Sequence, residues 1–184
     1  MRNTRLWLAF SIGFLLILLN ACAYTQHSLG PDNAIYEKPA PADSICVMLP
    51  PDIAQGSRVY FDSGRADPEK TVANRIFLAV YPERPSSILI ETADEDRAIQ
   101  QCSSGGAKYL LSPLVLHWQG RASEWSFMRN VVQIEIRLIK VEPKTFMRSA
   151  FFEARNGWLN SGSDDPAELL LNNSFAQSIA DLID

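Results

Sequence analysis

The sequence predicts an α/β fold of the α+β kind: one mixed β-sheet of about five strands with three helices, in the order βαβαβββα. Three observations carry this. Short apolar runs at residues 45–49 and 87–91 are each followed by a segment whose apolar residues recur at helical spacing. Three further apolar segments then follow one another with no helical stretch between them, which marks a meander. The chain closes on one more amphipathic segment.

Ile45, Cys46, Val47, Met48 and Leu49 form a continuous apolar run stopped by Pro50 and Pro51, as expected of a buried central strand. Residues 55–67 are polar and glycine-bearing and read as a loop. From Pro68 to Tyr81, Val72, Ala73, Ile76, Phe77 and Val80 share one helical face, and Pro82 and Pro85 end the helix. A second strand centres on Ile88, Leu89 and Ile90. Thr92 followed by Glu95 has the spacing of a capping box, so a helix is expected from there, with Ala98, Ile99 and Cys102 inward and Gly105 and Gly106 at its end. Tyr109 to Trp118 is a third strand, interrupted by Pro113. Val131 to Val141 alternates strictly: Val132, Ile134, Ile136 and Leu138 fall on one face, Gln133, Glu135 and Arg137 on the other. One face of the sheet is therefore wet. Pro143, Lys144 and Thr145 turn the chain into a returning strand, Phe146 to Arg155. Asp165, Pro166 and Glu168 read as the cap, first residue and third residue of a final helix to Ile183, with Leu169, Leu170, Ala176, Ile179, Ala180 and Ile183 buried.

Ahead of the domain lies a different kind of segment. Arg2 and Arg5 precede an apolar run from Leu6 to Leu19 that is shorter than the roughly 20 residues a membrane span needs, and Ala21 supplies a small residue at a cleavage point. Leu19, Asn20, Ala21 and Cys22 resemble the lipobox of bacterial lipoproteins. The resemblance implies cleavage before Cys22, a covalent lipid on that cysteine, and, with Ala23 after it, an outer-membrane anchor facing the periplasm. Three parts are expected: a signal peptide over residues 1–21, a lipidated flexible tether over 22–44, rich in proline and polar residues, and a single domain over 45–184. The 163 residues left after cleavage suit one domain.

An export signal implies an oxidising compartment, where Cys46 and Cys102 can pair as a disulfide; burial as two free thiols fits the sequence as well. The whole chain carries a net charge of −4 with acids and bases interspersed, so no basic surface is offered to nucleic acid. Neither a phosphate-binding glycine loop nor a ligand-spaced cluster for a metal occurs, and no cofactor other than the covalent lipid is expected. Asp94, Glu95 and Asp96, and likewise Asp164 and Asp165, sit where helix starts explain them. A hydrolase would have to use His117, with no partners nearby in sequence to complete a triad.

The densest chemistry lies between the third strand and the hairpin: Trp118, Arg121, Ala122, Ser123, Glu124, Trp125 and Ser126. This stretch resembles the signature Trp-x-x-Arg-Ala-Ser/Thr-Glu-Trp-Ser of a family of uncharacterised Gram-negative lipoproteins, a domain of unknown function, and the likeness extends over most of residues 44–184. Tyr109 to Pro113 and Pro166 to Leu170 match its flanking patterns. Gln119 and Gly120 stand where many members have acidic residues, so no charge-dependent role carries over to that pair. The order of elements resembles the N-terminal domain of the TolB translocation protein, the penicillin-binding-protein activator lipoproteins, and the curli and Pel export lipoproteins, although fold likeness carries no function. Arg121 and Glu124 can pair while an indole stacks on the guanidinium, which would rigidify a turn; alternatively Trp118, Arg121, Glu124 and Trp125 form a partner-binding surface of the residue types that dominate interfaces. The expected function is non-catalytic: an anchored accessory or scaffold subunit of an envelope assembly, with outer-membrane lipid and an envelope protein as partners. The alternative is a homo-oligomeric ring or collar in an export system, and a minor one is an envelope hydrolase.

Overall fold

The computed structural model describes residues 24–30, 37–51, 67–120, 129–156 and 167–184. Six strands form one sheet: β1 Tyr24–Leu29, β2 Ile45–Met48, β3 Ile88–Ile90, β4 Tyr109–Gln119, β5 Val131–Lys140 and β6 Thr145–Arg155, in the spatial order β1-β6-β5-β4-β2-β3. β2 runs parallel to both β3 and β4, and the remaining pairs are antiparallel. The helices are α1 Pro68–Val80, α2 Glu95–Ser104 and α3 Asn173–Ile183, with a short 3-10 turn at Ala167–Leu170. Mixed α+β architecture with three helices is thus as the sequence predicts, with one strand more than expected.

The apolar run of β2 is buried at all four residues because strands flank it on both sides and helices lie over both its faces. The strict alternation of β5 sends Val132, Ile134, Ile136 and Leu138 into the main core, where they meet Val72, Ile76, Phe152, Phe175 and Ile179. Helices α1 and α3 cover this first face. Among the described residues the second face is covered only in part, where Ala98 and Cys102 of α2 pack on Cys46, Met48, Ile90 and Leu110. Cys46 and Cys102 are joined there as a disulfide, their Cα atoms 6.0 Å apart. Proline interrupts nothing in β4: β2 leaves that strand after Leu111, so Pro113 breaks no ladder with it.

Three local expectations need correction. The cap of α2 is Asp94, whose Oδ1 accepts from the backbone N–H groups of Asp96 (3.0 Å) and Arg97 (3.1 Å), while Thr92 instead receives the N–H of Asp94 (3.2 Å). The last helix does not run unbroken from residue 165. Asn172 adopts an extended backbone and its side chain accepts from the Ser174 N–H at 3.0 Å, restarting the helix at Asn173. The restart resets the helical phase, so Phe175 and Leu182 are buried while Leu169 and Ala176 face outward. Asp165 and Pro166 lie outside the described residues.

The third correction concerns residues 22–44, expected to be a flexible tether. Tyr24–Leu29 is instead an edge strand in unbroken antiparallel register with β6, from Tyr24 opposite Arg155 to Leu29 opposite Ala150. All six of its residues are exposed, so no apolar pattern betrays it; the backbone ladder holds it. Gly30 closes the strand because a Cβ there would lie 2.8 Å from Ser149 Oγ, and its N–H donates to Ser149 O at 2.7 Å. The buried guanidinium of Arg84 holds the segment beyond, donating to the carbonyls of Pro39, Ala40 and Asp43.

Candidate functional site at one end of the sheet and on its open face

Strand register brings the first described residue and the stems of the tryptophan-rich stretch to the same end of the sheet. Gln119, the last residue of β4, lies opposite Val131; Val131 lies opposite Arg155; Arg155 lies opposite Tyr24. Cys22, Arg121, Glu124 and Trp125 lie outside the described residues; the strand ends nearest them in sequence, Tyr24, Gln119 and Val131, all lie at this end of the sheet. Cys22 is two residues from Tyr24, which is about 7 Å of extended chain at most.

The stems are tied down by hydrogen bonds. The Asn130 N–H donates to Asn156 Oδ1 at 2.8 Å, and the Asn156 N–H returns to Asn130 O at 3.3 Å, clasping β5 to β6. Gln119 Nε2 donates to Arg129 O at 3.0 Å, closing the base of the intervening stretch. Trp118 is 4% exposed and belongs to the main core. Its indole therefore packs within the core at this end of the sheet, and the expectation that it belongs to an exposed binding surface is corrected. The reason is parity: Trp118 lies opposite Val132, whose side chain points into the α1–α3 layer. Of the four motif residues, only this one is placed by the described structure.

His117 lies on the opposite face, half-buried, with Nε2 3.2 Å from Gln119 Oε1. Among the described residues no group of three His, Cys, Asp or Glu side chains is arranged to hold a metal ion, and no helix is long and apolar enough to cross a membrane.

The wet face that alternation predicts in β5 is real, and its composition was not legible strand by strand. Beyond α2, no described element covers the second face of β5, β6 and β1. Glu135 stands in the middle of it with Leu114 directly opposite on β4 and Phe151 directly opposite on β6. All three are half-buried, and among the described residues the Glu135 carboxylate has no partner. Its neighbours along β5 are engaged: Gln133 donates to Glu153 at 2.9 Å, and Arg137 donates to Glu95 at 2.7 Å and to Ser112 Oγ at 3.2 Å. The signal for this row was the spacing of three strands together, which no single periodicity shows.

Besides Arg137 with Glu95 and Arg155 with Glu153, further ion pairs pin the segment ahead of β2 and the hairpin turn. Lys108 pairs with Asp43 at 2.6 Å and Lys140 with Glu37 at 2.6 Å. The lysine hydrogen bonds hold the carboxyls of Asp43 and Glu37 below their usual range and push both lysines up. Lys144, bonded to Asp96 at 2.7 Å, is raised for the same reason. At the other edge, His27 Nε2 of β1 lies 3.0 Å from Asp181 Oδ2 of α3, and Arg148 of β6 donates to the carbonyls of Leu182 (2.7 Å) and Asp181 (2.8 Å) that end that helix.

Comparison with known proteins gives a family and a fold. Residues 40–179 match the model of DUF4823, described as a domain of unknown function. No curated protein matches. Among solved structures, the chain is similar to the PelC dodecamer from Paraburkholderia phytofirmans, with a TM-score of 0.54 at 19% identity over 88% of this chain and 94% of that one. A variant of the same dodecamer matches with a TM-score of 0.53 at 18% identity, covering 87% and 96%. Lipoprotein GNA1162 from Neisseria meningitidis matches with a TM-score of 0.40 at 13% identity, covering 75% and 99%.

Proposed function

Since the chain belongs to the DUF4823 family of domains of unknown function, we propose from its geometry that it is a lipid-anchored, non-catalytic accessory or scaffold subunit of a bacterial cell-envelope assembly. The observation that carries the reading is the register of β1. It locks the residues just after Cys22 to the sheet end from which the tryptophan-rich stretch leaves. With an acyl chain on Cys22, that end lies next to the membrane, and the domain is held close to the bilayer, with no long tether between them. Arg121, Glu124 and Trp125 then act at the membrane-proximal end, where an envelope partner is met, while Trp118 supports them from the core.

Self-assembly into a ring or collar is the second reading, and it is supported by the likeness in fold to the PelC dodecamer. In either case the anchor is in the outer membrane and the domain faces the periplasm.

Two experiments test the reading. Fatty-acid labelling in cells should mark the protein and vanish in Cys22→Ser; label retained in that variant contradicts the anchor. Cross-linking in intact membranes should yield a defined complex that disappears in an Arg121→Ala, Trp125→Ala double variant of unchanged melting temperature. A complex that survives the double change assigns the motif a purely structural role.

A further inference from the structure

The open sheet face and the outer side of the helical layer are complementary in a way that the fold of one copy leaves unused. On the open face, Glu135, without a partner among the described residues, lies between Leu114 and Phe151. On the far side of the molecule, α1 and α3 leave a groove of about 200 Å³ floored by Ala79, Leu171 and Phe175. Arg75 and Leu78 stand on its α1 wall. Leu78 is 60% exposed, the highest value among the large apolar side chains described, and Arg75, also exposed, makes no ion pair or hydrogen bond among the described residues. Among the described residues each surface thus presents one unpaired charge, of opposite sign, set among apolar side chains.

We infer that the α1–α3 groove of one copy docks on the open sheet face of a second copy, pairing Arg75 with Glu135 of its neighbour and covering Leu114 and Phe151 with Leu78. The sheet would then acquire a helical layer over the part of its second face that α2 leaves bare, completing the layered packing each sheet face calls for. Charge complementarity selects a copy of this chain over an arbitrary apolar partner. A carboxylate flanked by apolar groups is costly to cover unless a cation meets it, and an arginine is the cation that tolerates partial desolvation best. The two surfaces lie on opposite sides of the sheet, so the contact is head-to-tail and propagates into a ring or an open row. A symmetric alternative, antiparallel pairing of β1 with β1 of a second copy, would send the two Cys22 positions to opposite ends of the paired strands and is disfavoured for two chains anchored in one membrane. This inference deepens the self-assembly reading and leaves the anchor and the motif untouched.

The test is charge exchange in the full-length lipoprotein, with mass measured in mild detergent after cross-linking in membranes. Glu135→Arg and Arg75→Glu should each weaken self-association by about tenfold or more, with melting temperature unchanged because Arg75 is exposed and the half-buried Glu135 lies outside both core clusters. The double variant carrying both changes, and an equal mixture of the two single variants, should each recover the wild-type mass. Single variants that assemble normally overturn the inference, as do singles that fail and are not rescued by exchange; in the second case self-assembly stands through another surface. A wild-type protein that never exceeds one copy also overturns it, while leaving the accessory-subunit reading in place.

Discussion

The two faces of the sheet are built from the same strands yet serve different ends. On the first, Trp118, Val132, Ile134, Phe152 and Ala154 meet two helices and no polar side chain of β5 intervenes. On the second, beyond the disulfide that fastens α2, the same strands offer Leu114, Glu135 and Phe151 in one row, with polar residues around them. A face whose side chains are all apolar is a core. A face that mixes an unpaired acid with half-buried apolar groups is neither a core nor an ordinary wet surface, and it is where association can act without endangering the fold.

That contrast can be broken from the covered side first. Trp118→Ala removes a large buried side chain and should destabilise the domain by about 3–5 kcal/mol in a denaturant titration, as large-to-small core changes do. A loss below about 1 kcal/mol would mean that the indole is not packed within the core. Reducing the disulfide, or replacing Cys46 and Cys102 with alanine, should cost about 2–4 kcal/mol by freeing the chain between them. This loosens the helix described on the second face and leaves the first intact, so near-ultraviolet signals from the α1–α3 core should persist until global unfolding.

Changes on the open face should behave in the opposite manner. Glu135→Gln removes a charge that has no partner among the described residues of a single copy, so stability should stay within about 0.5 kcal/mol while self-association weakens. Loss of stability with unchanged association would place Glu135 in the fold's energetics instead. The smallest effect concerns neither face. Asp43 is held below its usual value of 3.8 by its hydrogen bond to Lys108, which in turn is raised above 10.5. The folded state therefore keeps the carboxylate's contribution above pH about 4 and loses it as pH falls through the depressed value; the lysine's contribution persists below pH about 10 and is lost as pH rises through the elevated one. Asp43→Asn should flatten the acid limb of a stability profile and change nothing at pH 7 to 9 beyond a constant offset.

How far the sequence could be read follows from which signals are local. Helical spacing in residues 68–80 and strict alternation in residues 131–140 mark α1 and β5 within a few residues of their ends, because burial imposes the period directly. β1 escaped, since an edge strand exposed at every residue has no pattern to impose, and only its backbone pairing with β6 defines it. The final helix changes phase against its sequence pattern because Asn172 caps it from inside an otherwise continuous amphipathic stretch. Trp118 stands beside Arg121, Glu124 and Trp125 in the sequence, but strand parity turns it inward, and that parity is set by the register with β5. The row through Glu135 needs three strands aligned at once.

The most direct test of the central claim, that this anchored domain works by association, is the native mass of the full lipoprotein released gently from membranes after cross-linking in place. The account predicts a defined complex, either a single multiple of the subunit mass or the subunit with one other envelope protein, which depends on Cys22. A protein that remains one uncomplexed copy under those conditions, while still anchored, would contradict it.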